Sequence, residues 1–160
     1  MATVGGDRQA SLAVAGLHAG SHAVTATYSG DASYAASSSP AYTQQITKAP
    51  TTIIAADVNN PGPLEPRANW LRAKLTDRYG HPMAGRTVSF SSAPIPARPA
   101  QHLCDAVTDA NGIAECNDQV FMLDINLTPG ETLLDIVSAY DATYLGDADT
   151  IGDTARGHEY

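Results

Sequence analysis

The chain has 160 residues, 43% of them hydrophobic and 16% charged. That balance supplies a packed core for one ordinary domain or two small ones, and it excludes wholesale disorder. Seventeen Asp and Glu against nine Lys and Arg leave a formal net charge of −8, a sign that repels phosphate backbones and so excludes nucleic acid as the expected partner.

In chain order, Arg8 to Gly20 (RQASLAVAGLHAG) is the first apolar stretch. It alternates and is broken by Gly16, His18 and Gly20, so it is read as strand material at Ser11–Ala15 rather than as the core of a signal peptide. An export signal, if there is one, is expected outside this chain. Ser21 to Tyr28 (SHAVTATY) alternates with His22, Val24, Ala26 and Tyr28 on one face and Thr25 and Thr27 on the other. A boundary falls at Thr47-Lys48-Ala49-Pro50, where a short linker stiffened by Pro50 separates two strand runs. Beyond it the predicted strands are Thr51–Val58, Asn69–Leu75, Arg86–Phe90, Leu103–Thr108, Ile113–Cys116 and Leu134–Tyr144. Gly, Pro, Asn and Asp clusters at 57–63, 78–82, 109–112 and 128–130 mark the turns between them. No window approaches the roughly 18 apolar residues of a membrane span, and none sustains a helical period over the ~10–12 residues of a globular helix. Short strands with turns at this rhythm predict an all-β, antiparallel, Ig-like sandwich.

One phrase occurs twice. Ala26 to Tyr34 reads ATYSGDASY, and Ala142 to Thr150 reads ATYLGDADT. In the second copy Tyr140, Ala142 and Tyr144 share a face opposite Asp141 and Thr143, so the two stretches agree in face as well as in letters. The repeat therefore belongs to a homologous strand and the corner after it. The corner supports two readings. Asp31, Asp147 and Asp149 are candidate calcium ligands, although a calcium site needs about six to eight oxygens. Alternatively, Gly takes a positive φ and Asp caps backbone N–H groups in a tight turn. Tyr28 and Tyr144 face inward in this register and are read as core residues.

These motifs resemble those of bacterial Ig-like domain repeats, the tandem modules of bacterial surface and secreted proteins. Gln9 to Ile46 resembles the closing half of such a module. Leu71–Asp77 with Gly80, Pro82, Gly85 and Val88–Phe90 resembles the early strands of a second one, and LCDAVTDANGIAEC (Leu103–Cys116) with ATYLGDA resembles its later half. The resemblance implies a partial module at 1–47, a near-complete module at 48–157 and a tail at 158–160. It implies no catalysis and no cofactor, with calcium the one candidate ion. The implied setting is extracellular or cell-surface, and the implied partners are neighbouring Ig-like modules or a host or cell-wall protein or glycan. A Pro-rich insert, Ser92 to Ala100, departs from the family pattern.

Cys104 and Cys116 flank a predicted hairpin turn at Asp109–Gly112, with Cys104, Ala106, Ala114 and Cys116 on one face. A disulfide fits if a bulge or longer loop sets the two cysteines opposite each other, and two buried thiols are the alternative. Export as an Ig-like module, into an oxidising compartment, favours the disulfide. Trp70 and Arg72 fall outward on their strand if Leu71, Ala73 and Leu75 point inward; an exposed Trp beside a cation is a candidate anchor for a sugar or protein partner. The five histidines, His18, His22, His81, His102 and His158, lie in no nucleophile or metal motif, and His22 is read as a core residue. Asn126-Leu127-Thr128 matches a glycosylation sequon that the bacterial resemblance makes a coincidence. The expected function is a non-enzymatic spacer or adhesive module. The alternative is a carbohydrate- or protein-binding module, phage virion decoration included, acting through Trp70 and the Pro-rich loop.

Overall fold

The structure is a computed structural model that describes residues 2–57, 71–94, 99–116 and 139–158, and every element among them is a β-strand. The chain divides into two compact units, Met1–Lys48 and Ala49–Tyr160.

The first unit holds four short strands in two ladders. β1 (Gly20–Val24) pairs antiparallel with β4 (Tyr42–Ile46), from Gly20 opposite Ile46 to Val24 opposite Tyr42. β2 (Thr27–Tyr28) pairs with β3 (Ser37–Ser38). The strand expected over Ser21–Tyr28 is thus interrupted, because Ser39 takes both backbone groups of Ala26: its hydroxyl oxygen accepts from Ala26 N–H, and its own N–H donates to Ala26 O. The strand expected at Ser11–Ala15 does not form. Its apolar side chains Leu12 and Val14 are 66% and 61% exposed, and alternation alone cannot hold a strand that has no pairing partner and no core to face. Tyr28 is exposed and His22 half-buried, so neither is the core residue its register suggested.

The second unit is a two-sheet sandwich. One sheet has the order β5-β6-β9, from β5 (Thr51–Ala55), β6 (Leu71–Asp77) and β9 (Ile113–Cys116). The other runs β11-β10-β7-β8, where β7 is Thr87–Ser92, β8 His102–Val107, β10 Ala139–Gly146 and β11 Ile151–His158. All of these pairings are antiparallel. The period of two decides which side chains meet. Ile53, Leu71, Ala73, Leu75, Ala114 and Cys116 come from one sheet and Val88, Phe90, Tyr140, Ala142 and Tyr144 from the other, all buried in one cluster, while Arg72 and Lys74 between them point to solvent. The buried Tyr140 hydroxyl shares its one proton between the backbone carbonyls of Ala56 and Arg72, which ties the two sheets through the core. β11 runs to His158, so the first residue assigned to a tail is the last residue of a strand.

Both seams of this sandwich are closed, by different chemistry. On one side Cys104 and Cys116 form a disulfide with Cα atoms 6.5 Å apart. It does not staple a hairpin: β8 pairs with β7 and β9 with β6, so the bridge joins one sheet to the other. The turn that separates them crosses between sheets because its backbone is satisfied elsewhere. Gly112 O accepts from Leu75 N–H on β6, and the buried Thr108 hydroxyl donates to Met83 O while accepting from Arg86 N–H. Asp109 holds the turn's shape by accepting from Ile113 and Asn111 N–H, contacts that pull its carboxyl below the usual range. On the other side β5 and β11 are joined by side-chain and backbone hydrogen bonds described below.

Candidate functional site

The two repeated corners have the same internal construction. In the first, Asp31 Oδ1 accepts from Ser33 N–H at 2.7 Å and Tyr34 N–H at 2.9 Å, and Asp31 N–H donates to Tyr34 O. In the second, Asp147 Oδ1 accepts from Asp149 N–H at 2.9 Å and Thr150 N–H at 2.8 Å, and Asp147 N–H donates to Thr150 O. The preceding glycines have φ of 79° at Gly30 and 83° at Gly146, the left-handed region that an L side chain resists. Space matters too: a Cβ on Gly30 would come within 2.8 Å of Tyr34 O, and one on Gly146 within 2.7 Å of Thr150 O. Gly supplies the reversal, and Asp collects the amides that the reversal leaves unpaired.

The tyrosine at the end of each strand is used differently. Tyr28, exposed, donates its hydroxyl to Asp31 Oδ2 at 2.6 Å, which lowers the Asp31 carboxyl together with the Ser33 amide and raises the Tyr28 phenol. Tyr144 is buried, and its hydroxyl bonds Thr150 Oγ1 at 2.8 Å. Thr150 Oγ1 in turn donates to Asp147 Oδ1 at 2.7 Å, and Arg86 Nη1 lies 2.9 Å from Asp147 Oδ2. The Thr150 hydroxyl and the Asp149 amide hold the Asp147 carboxyl far below the usual carboxylate range. Thr150 and Arg86 escaped the sequence reading. Thr150 had a signal, an Asp followed three residues later by a hydroxyl side chain; Arg86 had none, because it reaches the corner from a different part of the chain.

The Asp31 and Asp147 oxygens thus face turn amides, a tyrosine and a threonine hydroxyl, and an arginine. Asp149 contributes its amide to Asp147 and its carbonyl to Ala49 N–H. Among the described residues no group of three or more His, Cys, Asp or Glu is placed to hold a metal ion.

The partner-binding candidates separate. Trp70, the sequon at Asn126–Thr128 and the centre of the Pro-rich insert, residues 95–98, lie outside the described residues, as does the start of the strand expected over Leu134–Tyr144. Arg72 stands on the outer face of β6, its Nε 3.2 Å from Glu115 Oε1 on the neighbouring β9, a cross-strand ion pair. Three histidines face carboxylates near the surface: His81 faces Asp77, His102 faces Asp105 and His158 faces Asp57. His22 bonds the carbonyl of His18.

A turn with the same internal hydrogen bonds is thus built in each of the two units. Residues 1–47 match the family model of the bacterial Ig-like domain (group 3). By sequence the first unit is therefore similar to a bacterial Ig-like domain, and the second is an all-β antiparallel sandwich carrying the same corner. The bacterial Ig-like family is typically non-catalytic. The Cys104–Cys116 disulfide is compatible with an extracellular setting, and no helix among the described residues is long and apolar enough to cross a membrane. A comparison with curated proteins gives no match.

Proposed function

We propose that the chain is a non-enzymatic spacer or presentation segment of a bacterial cell-surface or secreted protein, with modules in tandem holding a binding region away from the cell. The observation that carries this reading is the corner itself. The same Gly-Asp turn closes a strand in each of two units, and in both the Asp Oδ1 is spent on the turn's own amides. Repeating the geometry while the Asp carboxylate is taken up in holding the turn suits a structural repeat better than a catalytic one. The inter-sheet disulfide supports the extracellular part of the reading, since such bonds persist in oxidising compartments.

The test is protease shaving of intact cells that express the parent protein, followed by mass spectrometry of the released peptides. Release of peptides from this chain, with Cys104 and Cys116 joined, is the expected result. Recovery only after lysis, with both cysteines alkylated as free thiols, overturns the proposal.

A further inference from the structure

We propose that the first and last strands of the second unit form a shear-loaded clamp, so that this unit bears tension along the chain. The inference deepens the spacer reading by giving the spacer a mechanical role. β5 and β11 belong to different sheets, yet the bonds between residues 49–57 and 150–158 advance along both in the same direction. Ala49 and Thr150 form a parallel bridge, with Ala49 N–H donating to Asp149 O at 2.8 Å and Ile151 N–H to Ala49 O at 2.9 Å. Further along, Thr51 Oγ1 donates to Ile151 O at 2.7 Å and Ile53 N–H to Asp153 Oδ2 at 3.0 Å. At the far end His158 N–H donates to Asp57 Oδ1 at 3.0 Å.

This parallel course fixes how the seam meets a force. Tension carried by the backbone enters the unit at Ala49, the start of one side, and leaves after His158, the end of the other. The two sides are therefore drawn in opposite directions along their length, and the five bonds are loaded together. An antiparallel terminal pair with both ends at one edge would instead open one bond at a time. The disulfide closes the opposite seam and lies off this path. Gly157 keeps the clamp tight, since a Cβ there would come within 2.8 Å of Ala56 O. Three of the five bonds use a side chain, from Thr51, Asp153 and Asp57, so the clamp is open to point substitution without breaking a ladder.

Single-molecule pulling of the full chain between terminal handles, under oxidising conditions, tests the clamp, with the second unit recognised by the contour length it releases. Asp153→Ala and Thr51→Val are each expected to lower its mean unfolding force by at least about a fifth, the share of one hydrogen bond in five under even load. Asp153→Asn, which keeps an acceptor oxygen, is expected to retain most of the force. Thr108→Val serves as the control, because it removes two hydrogen bonds away from the seam and weakens the unit to urea. Its force is expected to stay at the wild-type value. Equal forces for wild type and both seam variants overturn the clamp, and so does a Thr108→Val loss as large as theirs at matched urea stability. Neither result depends on where the protein resides, so a failed clamp and a failed surface location are read separately.

Discussion

Replacing Asp147 by alanine removes one carboxylate oxygen that accepts from Asp149 N–H, Thr150 N–H and the Thr150 hydroxyl, and a second that faces Arg86. Losing a side-chain cap over backbone amides costs about 1 kcal/mol at helix N-termini, the nearest measured analogue. A partly exposed ion pair adds up to about 1 kcal/mol, and 28% side-chain exposure places this carboxylate in that regime. The expected loss is about 2 kcal/mol at neutral pH, read from urea unfolding of the wild type and the variant. The acid limb gives a second reading. The folded carboxyl lies well below its unfolded value of about 3.9, so the unfolded chain takes up the proton first as pH falls. The contribution of Asp147 is therefore complete above about pH 5 and declines as the pH drops toward the folded value. One group bounds that slope at about 1.4 kcal/mol per pH unit. Asp147→Asn is expected to flatten this part of the curve. Calcium at millimolar concentration should leave both proteins unchanged, because the oxygens are already occupied by the turn. A loss under about 0.5 kcal/mol, the ordinary scatter of surface substitutions, would refute the reasoning, as would a wild-type stability that rises with calcium.

Reduction of the Cys104–Cys116 bridge, which spans a sequence separation of 12, should cost about 3 kcal/mol of stability in the second unit by the chain-entropy argument; urea curves with and without reductant measure it, and a difference under about 1 kcal/mol contradicts it. Gly157→Ala would drive a methyl into the ring of buried Tyr140 and close on Ala56 O, so a destabilisation of about 1–3 kcal/mol is expected from overpacking, and a neutral urea midpoint would show that the strand can shift. Amide hydrogen exchange should protect Tyr140, Ala142 and Tyr144 of β10 up to the global unfolding limit while Val24 and Tyr28 in the first unit exchange early, since two-stranded ladders without a core are marginal alone; equal protection in the two would count against this.

Much of the second unit was legible because period-two alternation reports facing directly. Leu71, Ala73 and Leu75 on β6 and Tyr140, Ala142 and Tyr144 on β10 were all placed inward by alternation, and all are buried. Alternation does not say which sheet a strand joins. Cys104 and Cys116 face the same core whether their strands form a hairpin or cross from sheet to sheet, so the disulfide could be expected but its inter-sheet geometry could not. β11 was missed because Ile151–His158 (IGDTARGH) is an edge strand with one face of small and polar residues and no apolar period. The Arg86–Asp147 pair and the Asp153–Ile53 bond escaped for another reason. Each joins distant parts of the chain, and spacing within one stretch carries no information about such partners.

The duplicated corner separates what is local in this fold from what is not. Both copies hold a positive-φ Gly and an Asp whose Oδ1 takes the amides two and three residues on, although one tyrosine beside them is buried and the other exposed. The turn therefore needs no sandwich to form, since its hydrogen bonds close within four residues. Burial of the preceding strand does need one. In the second unit the sheet of β5, β6 and β9 covers Tyr140, Ala142 and Tyr144; among the described residues of the first unit Val24 stays 50% exposed and Tyr28 37%. Residues 1–48 also carry only Asp7, Arg8, Asp31 and Lys48 as charged side chains, so the formal net charge of −8 belongs to the second unit. A surface that sparing in charge is unlike the well-charged surfaces that keep small domains apart in solution. The corner is thus fixed by residues 30–34 and 146–150 themselves, whereas burial of the strand before it depends on strands far along the chain.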